Sequence, residues 1–220
     1  MKKLTVLMLC AALLCALFAA CAEETPVVYV TISDGSLVLA ECPIALSDAD
    51  ADGALTINDA LYLAHEFAYD GGAEAGYLSA YGDWGLSLAK LWGVENGGSY
   101  GYYVNDTMSY GLTDPVTNGD RVYAYVYTDL VGWSDAYSFF DQAAVSAGNV
   151  TLKLSMVTFD ENFMPVSVPV EGAVIVIDGE KTEFVTDAEG NVSFNLPDGA
   201  KLISAVSDSL NLVPPVCVVE

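Results

Sequence analysis

The chain has 220 residues, with 30 Asp and Glu against 7 Lys and Arg and a formal net charge of −23. That balance excludes a phosphate-backbone binder, which needs a basic face, and it disfavours adhesion to anionic lipid. Because 53% of the residues are apolar and 11% aromatic, it also excludes an acidic disordered tail.

Lys2 and Lys3 precede an apolar run over 4–20. The run is too short and too poorly flanked to span a bilayer, so residues 1–22 read as a secretory signal peptide. Two processing readings stand. Leu17-Phe18-Ala19-Ala20-Cys21 resembles a bacterial lipobox, with Cys21 as the lipidated first residue; Ala20-Cys21-Ala22 fits ordinary cleavage after Ala22. Either places the protein outside the cytoplasm, lipid-anchored at the cell surface or secreted. Cys10 and Cys15 lie in the leader, which leaves Cys42 and Cys217. In an oxidising setting they could pair, or each could be a buried thiol.

Residues 27–33 and 36–42 are rich in β-branched and apolar side chains around Asp34-Gly35, the signal of two strands and a hairpin turn. Next comes Asp48 to Asp59, D-A-D-A-D-G-A-L-T-I-N-D. Its acids stand where a twelve-residue loop wraps oxygens around one hard cation, and the glycine sits where such a loop turns sharply. The candidate ligands are the side chains of Asp48, Asp50 and Asp52, the carbonyl of Ala54, Thr56 directly or through water, and Asp59 closing the site; the expected ion is Ca²⁺. A solvated acidic turn is the competing reading. Residues 58–68 carry apolar positions at helical spacing and stop at Gly71 and Gly72, so the loop would pin a helix start.

Residues 76–101 read as a long irregular excursion rich in Gly, Tyr and Trp. Trp84, Trp92, Tyr100 and Tyr102 are candidate ligand-binding rings there, for stacking on a glycan, a small hydrophobic ligand or a protein. The alternative is that most of these rings complete a core. Residues 101–106 form a strand and turn, Asn118-Gly119-Asp120 a tight turn, and 121–128 an alternating strand. Strand, strand, helix, excursion, strand, strand is the order of a β-grasp.

The residues Tyr102, Tyr103, Val104 and Asn105, followed by Asn118, Gly119, Asp120, Val122, Tyr125 and Tyr127, resemble the β-grasp family related to the transcobalamin C-terminal domain. That resemblance covers roughly 27–141 and implies a bacterial surface module. Corrinoid binding is not implied, because the helical partner domain used by the vertebrate relatives is missing. The acidic loop resembles a dockerin calcium loop, with Asp at position 12 where the common EF-hand loop has Glu. Dockerins carry two loops, and the nearest second candidate, Asp187-Ala188-Glu189-Gly190, has its glycine too early.

From Gly148 onward short strands recur at 150–159, 172–177, 183–186, 192–196, 201–206 and 216–219, with Gly and Asp turns between them. This is β-sandwich spacing. The stretch over 170–205 resembles carboxypeptidase-regulatory or transthyretin-like modules, which implies a spacer or adhesive role. The expected architecture is therefore mostly β with one main helix (α+β): a β-grasp-like domain over 25–142 and an Ig/transthyretin-like sandwich over 148–220.

No catalytic residues are assigned. The single histidine, His65, follows the acidic loop in the expected helix. It reads either as a partly exposed or capped helix residue or as a group near the metal, and one histidine at such a position builds no triad. The expected function is a non-enzymatic, calcium-stabilised surface binding or adhesion protein. The alternatives are a small-ligand carrier lipoprotein for a corrinoid or glycan, and a degenerate dockerin-like docking module.

Overall fold

The structure is a computed structural model that describes residues 25–83 and 85–220. The leader over 1–22, Cys21 and Trp84 lie outside the described residues. The fold is mostly β, and the chain divides into two units with the boundary between Thr128 and Asp129.

The first unit begins with β1 (Val27–Ser33) and β2 (Leu37–Ala45), joined through Gly35 at φ +92°. Helices α1 (Ile57–Ala68) and α2 (Gly72–Gly76) follow, then β3 (Leu78–Gly82), β4 (Gly85–Lys90), β5 (Tyr100–Val104), β6 (Thr107–Met108) and β7 (Arg121–Val126). The main sheet runs β2-β1-β7-β5-β6, with β1 parallel to β7 and the other neighbours antiparallel. Alternation in β1 and β7 sends Val28, Val30, Ile32, Val122, Ala124 and Val126 into one core. Helix α1 meets that core with Ile57, Ala60, Leu61 and Ala64, spaced to fall on one helical face and all fully buried. Burial of Ile57 and Leu61 stabilises the packing by about 1.5–3 kcal/mol each.

Two expectations change here. A second short helix, α2, follows the first and starts at Gly72, with Gly71 and Gly72 both at positive φ. The excursion over 76–101 is not irregular throughout, because β3 and β4 pair as an antiparallel hairpin from Leu78↔Lys90 to Gly82↔Gly85. Glycines at both ends of that hairpin hide a short alternating pattern. On the sheet face opposite α1, Gly101 lies across from Tyr125. A Cβ there would come within 2.3 Å of the tyrosine ring, so this position requires glycine.

The second unit contains β8 (Ala136–Phe140), β9 (Ala144–Val145), β10 (Asn149–Phe159), β11 (Pro165–Pro169), β12 (Val174–Ile177), β13 (Glu180–Val185), β14 (Asn191–Asn195), β15 (Leu202–Val206), β16 (Leu212–Val213) and β17 (Cys217–Val219). One sheet runs β11-β10-β8-β16, with β14 also paired to β10; the other runs β13-β12-β15-β17-β9. Leu152, Leu154 and Phe194 from the first share a core with Ile175, Ile203 and Ala205 from the second. The boundary expected near 142 falls earlier. β8 pairs with β10 and β16, and backbone pairing across distant sequence carries no local signal. The Asp187–Gly190 segment is a tight turn. Asp187 Oδ1 accepts the N–H groups of Glu189 and Asn191, and Gly190 at φ +81° passes so close to the Leu154 carbonyl that a Cβ would stand 2.4 Å from it. Cys42 and Cys217 are both buried, each within its own unit.

Candidate metal centre

The acidic loop leads from β2 to α1. Positive φ at Ala51 (+61°) and Gly53 (+91°) curls the backbone so that successive carboxylates face inward. Short side-chain bonds to the backbone then orient them. Asp48 Oδ1 accepts the Asp52 N–H and its Oδ2 the Gly53 N–H, Asp50 Oδ1 accepts the Asp52 N–H, and Asp52 Oδ1 accepts the Ala54 N–H. Asp48, Asp50 and Asp52 each bring an oxygen within 4.8 Å of the others, in an exposed position. Two oxygens facing each other across a Ca²⁺ at 2.3–2.6 Å stand about 5 Å apart, so the cluster has the dimensions of a calcium shell. Three carboxylates this close also repel one another, an arrangement that a cation relieves.

Asp59 and Thr56 also bond within the loop and at the helix start. Asp59 is fully buried and outside the cluster. Its Oδ1 accepts the Ala49 N–H at 2.7 Å, and its Oδ2 accepts both the N–H and the hydroxyl of Thr56 at 2.9 Å. The Thr56 hydroxyl oxygen in turn accepts the Asp59 N–H, which completes a reciprocal capping box at the start of α1. Residues expected at positions 9 and 12 of an ion loop thus cap the helix, and through Ala49 they tie the front of the loop to it. Ala54, expected to offer its carbonyl, sits in the exposed part of the loop.

One functional residue escaped the sequence reading. Asn58 is buried and donates through Nδ2 to Asp50 Oδ2 at 2.9 Å, while its Oδ1 accepts the Tyr77 hydroxyl at 2.7 Å. It holds the middle carboxylate from behind and anchors it to the core. The only available signal was an Asn beside the capping Asp, and such a signal names no partner nineteen residues away.

His65 belongs neither to the cluster nor to the surface. It is fully buried, and its Nδ1 lies 2.6 Å from the Leu61 carbonyl while Nε2 accepts the Trp92 N–H at 3.0 Å. Those partners set the tautomer: the proton is on Nδ1. Burial pushes its pKa down to about 4, with the bond to Leu61 pulling weakly the other way.

Three of the four candidate stacking rings are among the described residues. Trp92, Tyr100 and Tyr102 pack, half-buried, against the first unit's core. The Tyr100 hydroxyl lies 2.9 Å from the Ala89 carbonyl and 2.8 Å from that of Val94. Trp84 lies outside the described residues. The strongly exposed rings include Tyr81, Tyr110 and Trp133.

No protein-family model and no curated protein matches the chain. Among solved structures it is similar to the crystal structure of Dscam1 isoform 7.44, N-terminal four Ig domains, at 5% identity and a TM-score of 0.24; the alignment covers 66% of this chain and 41% of that one. The chain thus spans less than half the length of that protein's chain, and a TM-score this low defines no shared fold.

Proposed function

We propose that the protein is a non-enzymatic, calcium-stabilised binding or adhesion module of a bacterial cell surface, exported by its leader and anchored through Cys21 or secreted. The observation that carries this reading is the convergence of Asp48, Asp50 and Asp52 on one point of a loop tied to the start of α1. Calcium would be held by those three carboxylates with the Ala54 carbonyl, while Asp59 and Thr56 keep the loop registered on the helix. Bound there, the ion offsets most of the cluster's charge and braces α1 at the first unit's core.

The finer fold assignment belongs to the same proposal. A sheet order of β2-β1-β7-β5-β6, with β1 parallel to β7 and a helix across one face, supports a β-grasp related to the transcobalamin C-terminal family. Two sheets around one core support an Ig- or transthyretin-like sandwich for the second unit.

One alternative has an observation in its favour. Phe67 is 52% exposed and Tyr62 38% exposed on α1, which would suit a dockerin-like docking face; Leu61, on the opposite side, is fully buried. The carrier reading draws no comparable support, since Trp92, Tyr100 and Tyr102 pack against the core.

Thermal melts in Ca²⁺ and in EGTA test the proposal. A ligand held at a hundred times its Kd raises stability by about 2.7 kcal/mol, and Asp52→Ala should abolish that increment. Identical melting of the native chain in the two conditions would defeat the calcium reading.

A further inference from the structure

His65 closes a contact between α1 and the turn that follows β4. The turn is narrow: Leu91 N–H donates to the Val94 carbonyl, Val94 N–H donates to the Leu91 carbonyl, and Gly93 N–H donates to the Gly76 carbonyl. Its second residue, Trp92, is held at φ +49°, a left-handed conformation that costs a non-glycine residue about 1 kcal/mol. Gly93, at φ +78°, lies under the Tyr69 ring, where a Cβ would meet the tyrosine oxygen at 2.1 Å. What holds the strained residue to the helix is the bond from the Trp92 N–H to His65 Nε2.

The bonds and ring contacts of the imidazole come from three segments. From its own helix come the Leu61 carbonyl and the Tyr69 ring at 6.0 Å; from the segment after α2, the Tyr77 ring at 5.1 Å; from the turn, the Trp92 ring at 5.1 Å. The neighbouring Glu66 points its carboxylate to the Ala73 N–H instead. Both ring nitrogens are taken by backbone groups, and none of these partners is a carboxylate. Protonating Nε2 would set a donor against the Trp92 donor, inside an aromatic cage.

We propose that His65 is an acid-sensitive latch: neutral, it clamps the 91–94 turn onto α1, and protonation releases that turn while the sheet stays folded. One nitrogen cannot accept and donate along the same line, so protonation of Nε2 breaks the bond that holds Trp92 to the helix. In the open state the imidazole regains its ordinary pKa near 6.5 in water, against about 4 when latched. The opening equilibrium therefore rises about tenfold per pH unit between those values. A surface protein built this way would change the presentation of its β3–β4 hairpin and the adjoining turn in mildly acidic surroundings. This inference does not depend on calcium.

Native-state hydrogen exchange of the full exported chain, corrected for intrinsic rates and followed by NMR from pH 7 to 4.5, tests the latch. The Trp92, Gly93 and Val94 amides should lose protection about tenfold per pH unit below 6.5, while Val30 and Ala124 in the central strands keep theirs. His65→Gln, a neutral side chain that still offers an acceptor, should flatten the pH slope at Trp92. Constant protection at Trp92 down to pH 4.5 would overturn the proposal. So would a parallel loss at Trp92, Val30 and Ala124, which is global acid unfolding and not a latch.

Discussion

Asp59→Ala separates the two roles open to that carboxylate, and its cost can be worked from the bonds it makes. The carboxylate is fully buried and accepts three hydrogen bonds, from the Ala49 N–H, the Thr56 N–H and the Thr56 hydroxyl. Ala49 is exposed, so water replaces the lost acceptor and the cost there is small. Thr56 is buried, and its stranded N–H costs about 1–3 kcal/mol. Loss of half the capping box adds about 1 kcal/mol. The expected destabilisation is about 2–4 kcal/mol, a large fraction of the stability of an ordinary domain. Urea unfolding in EGTA measures it as a lower midpoint at unchanged slope. Asp52→Ala, whose carboxylate is exposed, should change stability in EGTA by less than about 0.5 kcal/mol and should show its effect only when Ca²⁺ is present. If Asp59→Ala matches the native chain in EGTA and falls below it only in Ca²⁺, Asp59 is a metal ligand first and the capping argument is wrong.

Other outcomes follow from the same contacts. Asn58→Leu removes the group between Tyr77 and Asp50; it should weaken calcium affinity severalfold and leave the Tyr77 hydroxyl without that partner, both readable by calorimetry and by a lower melting temperature. Gly101→Val should drive the Tyr125 ring from its place at a cost of about 1–3 kcal/mol, and a mutant that melts like the native chain would refute the close approach. Glu41 pairs with Arg121 at 2.9 Å, and burial raises its pKa despite the guanidinium beside it. An acid whose folded pKa lies above the unfolded one weakens the fold as pH rises through that interval. Arg121→Ala leaves the buried Glu41 charge without its partner, so the variant should lose more stability at pH 7 than at pH 4.5 in parallel denaturant titrations.

How far the site could be read in advance differs residue by residue. Asp48, Asp50, Asp52 and Gly53 are separated by one or two positions, so their convergence follows from local backbone geometry. Asp59 and Thr56 matched the same spacing rule and also cap α1, because a helix start demands an oxygen at those positions. His65 showed only that it lay on a helix; whether it met solvent, the loop or the turn at Trp92 depended on a partner twenty-seven residues away.

By itself the sequence determined the strand-rich character, the start and stop of α1 and the spacing of the acidic loop. Each rests on interactions within a few residues of the chain: alternation, capping, turn glycines and a twelve-residue wrap. The tertiary structure decided that β1 lies parallel to β7, that β8 joins the second unit, that Trp92 and Tyr100 face a core, and that one buried histidine clamps a turn. Those outcomes depend on which distant surfaces exclude water together, and burial of this kind is a property of the whole packed chain.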